Sequence, residues 1–244
     1  MSVALSTLSD VSGAAAGSRP PLVVAIDGPS GSGKSSTSRG VASRLGLAYL
    51  DTGAMYRAVT WLVLESGLDP ADLDAVARLV ADADLDVSLD PADPTIAIDH
   101  HDVTDAIRDP AVSAAVSAIA TNLAVRHDLV ARQKALVSGA EQGIVAEGRD
   151  ITTVVAPEAE VRVLLVADPH ARVARRHAEL GERVDAAAVT DQVIRRDRDD
   201  STVAQFEAAA PGVEVLDSTH LSLDEVIEAI CRLAEGRSPV KVAP

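Results

Sequence analysis

The glycine-rich segment that begins at Gly28 carries the clearest chemical signal in the sequence. It reads Gly28-Pro-Ser-Gly-Ser-Gly-Lys34-Ser35 and matches the spacing G-x-x-x-x-G-K-[ST]. Glycines at these positions let the backbone curl, so that several N–H groups can point at the oxygens of a phosphate. The lysine can reach the β- and γ-phosphates, and the serine hydroxyl can bind Mg²⁺. The sequence therefore predicts that the chain binds a nucleoside triphosphate.

Two further segments carry arginines where a second anion could bind. Asp51-Thr-Gly-Ala-Met-Tyr-Arg57 opens a predicted helix, and Glu147-Gly-Arg-Asp150 directly follows a short apolar run. Ligands of open α/β sheets bind at the carboxyl ends of the strands. Guanidinium groups bind phosphate bidentately and are less strongly hydrated than an ammonium group. We therefore expect Arg57 and Arg149 to form a second anion site beside the glycine-rich loop, as a kinase for a small molecule requires.

Short apolar runs alternate with helical patterns along most of the chain. Buried strands are predicted at residues 22–26, 49–50, 144–146, 161–167 and 213–216. Helices are predicted at residues 34–45, 54–66, 111–123, 127–138, 169–180 and 185–198, with a last helix from Ser222. Strands that alternate with helices of this length are typical of an α/β fold with a parallel sheet of about five strands.

Residues 84–108 interrupt this alternation. Residues 87–89 and 95–99 are short runs in which apolar and polar residues alternate, and they flank the turn-rich segment 90–94. This pattern predicts an antiparallel hairpin that is inserted into the otherwise parallel design.

Composition excludes several classes of protein. The 244 residues include 22 Lys and Arg and 37 Asp and Glu, and a net charge of −15 disfavours nucleic-acid binding, which needs a basic face. The single cysteine, Cys231, excludes a disulfide framework. Apolar runs stay well below the roughly 18 residues of a membrane span, and residues 1–21 lack the features of a signal peptide. We expect a cytoplasmic protein with a flexible N-terminal extension over residues 1–21.

Taken together, the segments resemble the bacterial cytidylate kinases, which are P-loop nucleoside monophosphate kinases. The matching stretches are IDGPSGSGKSS, YLDTGAMYR, AEGRDITTVV, RRDRDDST and VLDSTHLS. The similarity extends from about Leu22 to about Leu233. It implies a kinase core of residues 22–83 and 127–244, a CMP-binding insert of residues 84–126 and a lid at about residues 172–187. Two positions depart from the family pattern, where Glu147 stands in place of aspartate and Val203 in place of arginine.

The resemblance also implies roles for individual residues. The donor nucleotide would be bound by Gly28, Pro29, Ser30, Gly31, Ser32, Gly33, Lys34, Ser35 and Ser36. The acceptor phosphate would be bound by Arg57 and Arg149, the cytosine by Thr52, Arg126 and Asp150, and the ribose by Ser117, Arg196 and Asp200. The lid would carry Arg172, Arg175, Arg176 and Arg183. Catalysis would fall to Lys34, Arg57, Arg149 and Asp150.

The predicted reaction is ATP + (d)CMP ⇌ ADP + (d)CDP. ATP is the expected donor, Mg²⁺ the expected cofactor at Ser35, and CMP and dCMP the expected acceptors of a monomeric enzyme with no nucleic-acid or membrane partner. One alternative is a related P-loop kinase for another small acceptor, such as UMP or a non-nucleotide acid. A second alternative is a nucleotide-sensing module without catalysis, against which the intact Lys34, Arg57 and Arg149 argue.

Overall fold

A parallel sheet lies at the centre of the chain. The computed structural model describes residues 20–180, 198, 201–202, 204 and 208–237. The sheet contains the strands β1 (Val23–Asp27), β2 (Ala48–Asp51), β6 (Ile144–Gly148), β7 (Val161–Val166) and β8 (Glu214–Asp217). Their order is β2-β6-β1-β7-β8, and every pairing is parallel. The predicted α/β fold with a five-stranded parallel sheet is confirmed.

Helices cover both faces of this sheet, which explains why β1 and β6 begin with runs of consecutive apolar residues. Alternate residues of β1 point to opposite faces, so that Val24 and Ile26 join one core cluster and Ala25 joins the other. The helices are α1 (Lys34–Leu45), α2 (Thr52–Glu65), α3 (Leu73–Asp82), α4 (Pro110–Ala120), α5 (Leu123–Gly139), α6 (Pro169–Leu180) and α7 (Leu223–Arg237). Because a strand that is buried on both faces has no side turned to water, polar and apolar residues do not alternate along its sequence.

Most predicted helices are found with small shifts at their ends. The bounds of α1 and α6 agree with the prediction, and α7 begins after Ser222 with the predicted capping box, in which the Glu225 N–H donates to Ser222 Oγ at 3.3 Å. The predicted helix at 127–138 begins earlier, at Leu123, because Asn122 caps it. Apart from Arg198, the predicted helix at 185–198 lies outside the described residues, as do residues 1–19 of the predicted N-terminal extension.

The predicted hairpin is present and is part of a larger element. β3 (Leu85–Val87) and β4 (Ile96–Ile98) pair antiparallel, and β5 (His101–Asp102) adds a third strand after a turn with positive φ angles at Asp99 and His100. α3 was not predicted, although Asp72 caps it by accepting the Ala75 N–H at 3.0 Å. The division into core, insert and lid stays a prediction.

Replacing Asn122 by alanine is expected to lower the free energy of unfolding by about 1–2 kcal/mol. Asn122 Oδ1 accepts the Ala124 and Val125 N–H groups at 3.1 and 3.4 Å, and its amide donates to the Leu73 carbonyl at 2.9 Å. The change removes the cap of α5 and leaves the Leu73 carbonyl of α3 without this donor. Urea unfolding measures the loss. The exposed Ser138→Ala should stay within about 0.5 kcal/mol of wild type, and equal stability of the two variants would contradict the assigned role.

Candidate active site

The glycine-rich loop connects β1 to α1, as its predicted role requires. Gly33 adopts a φ of 89° at the N-terminus of α1, and Gly31 adopts a φ of 74°. A Cβ atom at Gly31 would come within 2.6 Å of the Arg172 carbonyl oxygen, so α6 packs directly on the loop. Lys34 Nζ donates to the Pro29 carbonyl at 2.9 Å, which holds the lysine over the loop. The first N–H groups of α1 therefore face the space where phosphates bind in such loops.

A cavity of about 170 Å³ opens next to this loop at the carboxyl ends of β2 and β6. The predicted site residues that line it are Ser30, Gly31, Gly33, Lys34, Ser35, Ser36, Thr52, Arg57, Arg126, Arg149, Asp150 and Arg176. The predicted residues that are described but do not line it are Gly28, Pro29, Ser32, Ser117, Arg172 and Arg175. Arg183, Arg196 and Asp200 lie outside the described residues, and so does Val203. The structure thus brings the loop, the strand-end arginines and Asp150 together.

Arg57 is held at the cavity wall by the residue that caps its own helix. Asp51 Oδ1 accepts the Ala54 N–H at 2.8 Å, and Asp51 Oδ2 accepts Arg57 Nη2 at 3.0 Å. The side chain of Arg57 is 22% exposed. A phosphate in the cavity can therefore approach a guanidinium that is already oriented.

The segment after β6 carries two more of the charged residues predicted for the acceptor. Arg149 Nη1 donates to the Gly28 carbonyl at 2.6 Å, which ties this segment to the start of the glycine-rich loop. Asp150 forms a largely buried ion pair with Arg126 from α5. Burial raises the pKa of the Asp150 carboxyl, and the Arg126 charge opposes that shift. The pair presents an acceptor and a donor side by side.

Glu147 and Tyr49 belong to the site, and sequence reasoning did not assign a role to either of them. Glu147 lines the cavity, is 2% exposed, and accepts the Tyr49 hydroxyl at 2.6 Å. Burial and the neighbouring Asp51 raise the pKa of Glu147 to about 7, and Lys34 opposes the shift. Glu147 pairs in register with Asp51, so both carboxylates end at the same edge of the sheet. Because this register forms only in the folded protein, no local sequence pattern could have predicted the role of Glu147.

Two of the predicted lid arginines contact the glycine-rich loop from outside the cavity. Arg172 Nη1 donates to the Ser30 carbonyl at 3.0 Å. Arg175 donates to the Ser32 carbonyl at 3.3 Å and to the Ser218 carbonyl at 2.6 Å. Only Arg176 of the described lid arginines lines the cavity.

Two properties of the described residues bear on metals and membranes. The residues that the structure describes contain no group of three or more His, Cys, Asp or Glu side chains that could hold a metal ion. In the same part of the chain, every helix is too short or too polar to cross a membrane. The monomeric state and the cytoplasmic location stay predictions.

Comparison with known proteins decides the family. Residues 24–236 match the family described as Cytidylate kinase. A cytidylate kinase from Cutibacterium acnes (strain DSM 16379 / KPA171202) is 60% identical over 218 residues, which cover 88% of this chain and 97% of that protein. The chain belongs to the cytidylate kinase family. Its kinase activity, with ATP as donor and CMP as acceptor, is thereby confirmed as predicted.

Other cytidylate kinases extend the comparison. One from Streptomyces avermitilis (strain MA-4680) is 43% identical over 224 residues, which cover 91% of this chain and 96% of that protein. A bifunctional pantoate ligase/cytidylate kinase from Synechococcus sp. (strain CC9311) is 48% identical over 235 residues, which cover 93% of this chain and 46% of that protein. The family match over residues 24–236 spans both the glycine-rich loop and the segments that carry Arg57 and Arg149.

Proposed function

We propose that this cytidylate kinase phosphorylates both CMP and dCMP in the cavity beside the glycine-rich loop. The observation that carries the proposal is that Lys34, Arg149 and the Arg126–Asp150 pair line one cavity. The donor and the acceptor both bring phosphates, whose negative charges repel each other. Cationic side chains at fixed positions offset that repulsion without having to reorganise during the reaction.

The proposed transfer is a single in-line displacement. An oxygen of the acceptor phosphate attacks the γ-phosphorus of ATP, and the bond from that phosphorus to the β-phosphate oxygen breaks as the new bond forms. ADP leaves with the electron pair of the broken bond. Arg57 and Arg149 orient the acceptor phosphate, and Lys34 spreads the negative charge of the transferred group. The contribution of the protein is mostly positioning and charge neutralisation.

The Arg126–Asp150 pair suits cytosine better than uracil. Cytosine presents an amino donor at N4 and acceptors at N3 and O2, whereas uracil presents an N3–H donor and an O4 acceptor. The Asp150 carboxylate can accept from the amino group, and the Arg126 guanidinium can donate to the acceptors. Because the side chain of Asp150 is only 6% exposed, a base that offered it no donor would lose a hydrogen bond that water could not readily replace, and that base would be disfavoured.

The oxygen atoms beside the glycine-rich loop fit Mg²⁺. Mg²⁺ usually keeps several waters and binds one or two carboxylates together with substrate phosphates. The Ser35 hydroxyl and the carboxylates of Glu147 and Asp51 line the same cavity, and we propose that they hold the ion and its waters. When it is bound, Mg²⁺ neutralises charge on the β- and γ-phosphates.

An acceptor screen tests the proposal. ADP release is measured with ATP and Mg²⁺ against CMP, dCMP, UMP and AMP at matched concentrations. We expect kcat/KM for CMP and dCMP to exceed that for UMP and AMP by at least about 100-fold. A rate with UMP equal to that with CMP would favour the UMP alternative. ATP binding with no acceptor-dependent release would favour the sensing module.

Asp150→Asn tests how the base is recognised. The amide keeps the shape of the carboxylate but presents N–H donors where the cytosine amino group needs an acceptor. The ratio of kcat/KM for CMP to that for UMP should fall by about 5- to 150-fold, which corresponds to about 1–3 kcal/mol. The control is Asp86→Asn, the same change at an exposed position of β3. A CMP/UMP ratio that matches the control would mean that Asp150 does not face the base.

A further inference from the structure

Asp27 is a buried carboxylate whose side chain binds the backbone of a different loop. It is the last residue of β1 and is 1% exposed. Its Oδ1 accepts the Ile151 N–H at 2.8 Å. Its Oδ2 accepts the Thr152 N–H at 2.8 Å and the Thr152 hydroxyl at 2.6 Å. The residue just before the glycine-rich loop therefore holds the chain that follows Asp150.

The hydrogen bonds of Asp27 replace a cap that would be expected from Asp150. Ile151–Val155 forms a single helical turn of the π type, and the first N–H groups of a helical segment have no partner within it. Aspartate at the position before such a segment ordinarily accepts these N–H groups with its own side chain. Asp150 occupies that position but makes no capping hydrogen bond. Its carboxylate is paired with Arg126 instead.

We propose that Asp27 is a positioning residue for recognition of the acceptor base. Asp27 caps the turn Ile151–Val155 from a neighbouring strand, and this leaves the Asp150 carboxylate directed into the cavity. Without the Asp27 carboxylate, the Ile151 and Thr152 N–H groups lose the side-chain acceptors that hold them in place. The inference deepens the proposed function and rests on it, since it assumes that Asp150 recognises cytosine.

A second side chain also connects these two segments, and this time it belongs to the segment that follows β6. Arg149 donates to the Gly28 carbonyl at 2.6 Å, and Asp27 pairs in register with Gly148 of β6. Side chains of both segments thus hold the glycine-rich loop (the donor loop) against residues 149–155 (the acceptor loop). The separation between the γ-phosphate and the acceptor phosphate depends on these contacts. A misplacement of about 1 Å can lower the rate about 100-fold.

Asp27→Asn is the decisive variant. Asparagine has one oxygen where aspartate has two, so its NH₂ group must face the N–H of Ile151 or Thr152. We expect kcat/KM for CMP to fall by about 100-fold. We also expect the CMP/UMP ratio of kcat/KM to fall by about tenfold, the factor of 1.4 kcal/mol for one misdirected hydrogen bond. The KM for ATP should change far less, because the bonds that are lost lie on the acceptor loop.

Two companion variants separate positioning from loss of stability. Thr152→Val removes the hydroxyl bond and keeps both backbone donors, so the CMP/UMP ratio should fall in the same direction by a smaller factor. Ile230→Val weakens the core cluster on the other face of the sheet and should leave the ratio at its wild-type value. Thr152→Val decides the question if Asp27→Asn does not fold. If the folded Asp27→Asn and Thr152→Val variants have the same CMP/UMP ratio as Ile230→Val, the inference is overturned. If the wild-type enzyme does not prefer CMP to UMP, the proposed function is contradicted instead.

Discussion

Lys34→Ala is expected to lower kcat for CMP phosphorylation by about 100- to 1,000-fold, the usual effect of removing one fixed donor that stabilises transition-state charge. Lys34 lines the cavity and is held over the glycine-rich loop by its hydrogen bond to the Pro29 carbonyl. Alanine removes the only ammonium group on this loop but none of the core packing. Steady-state kinetics measure the loss, and thermal unfolding confirms that the fold is retained.

The matched control for this change is Lys134→Ala. Lys134 lies exposed on α5, and the same truncation there removes the same charge and the same length of side chain. Its kcat should stay close to that of the wild type, because its charge reaches the site only through the weakest of the interactions that act on Asp150. If Lys34→Ala retained the kcat of Lys134→Ala, the loop would not be the donor site.

Arg149→Ala should lower kcat/KM for CMP by at least about 100-fold, because two charged hydrogen bonds at about 1.5–3 kcal/mol each are removed. One is its bond to the Gly28 carbonyl, and the other is its proposed bond to the acceptor phosphate. Since the same group binds and orients the acceptor, KM for CMP should rise and kcat should fall together. Initial rates over a matrix of ATP and CMP concentrations separate these effects.

Arg132→Ala is the matched control for Arg149. Arg132 is also partly buried, and it donates to the Ala83 and Val80 carbonyls, but it does not line the cavity. Its loss should lower the melting temperature and leave KM for CMP unchanged. If Arg149→Ala changed KM for ATP alone, Arg149 would belong to the donor site.

Local sequence patterns predicted the parts of the site that depend on neighbours in the chain. The start of α1 at Lys34 follows from the glycine at the preceding position, whose left-handed conformation few other residues adopt. The arginines at strand ends were predicted because parallel strands end at one edge of the sheet. The short helix α3 was missed, although Asp72 is a suitable cap and the buried Val76 and Val80 are four residues apart.

Contacts between distant segments could not be predicted from local patterns. Tyr49 and Glu147 meet only because β2 and β6 are neighbours, and strand order is not encoded in the spacing of either segment. The bonds from Asp27 to Thr152 span 125 positions of the chain. The turn Ile151–Val155 has no periodic pattern that one sequence could reveal. In each case the decisive information is the register between strands, which forms only in the folded protein.

The strand order also determines when the active site can form during folding. β1 begins at Val23 and lies in the middle of the sheet, but its two neighbours begin at Ile144 and Val161. Pairing across such separations requires closure of long chain loops, whose entropic cost precedes the contacts that repay it. A nascent chain that contains the whole glycine-rich loop therefore still lacks the strands that hold it. ATP can stabilise this kinase only after most of the chain has been synthesised, so the nucleotide acts late as a folding ligand.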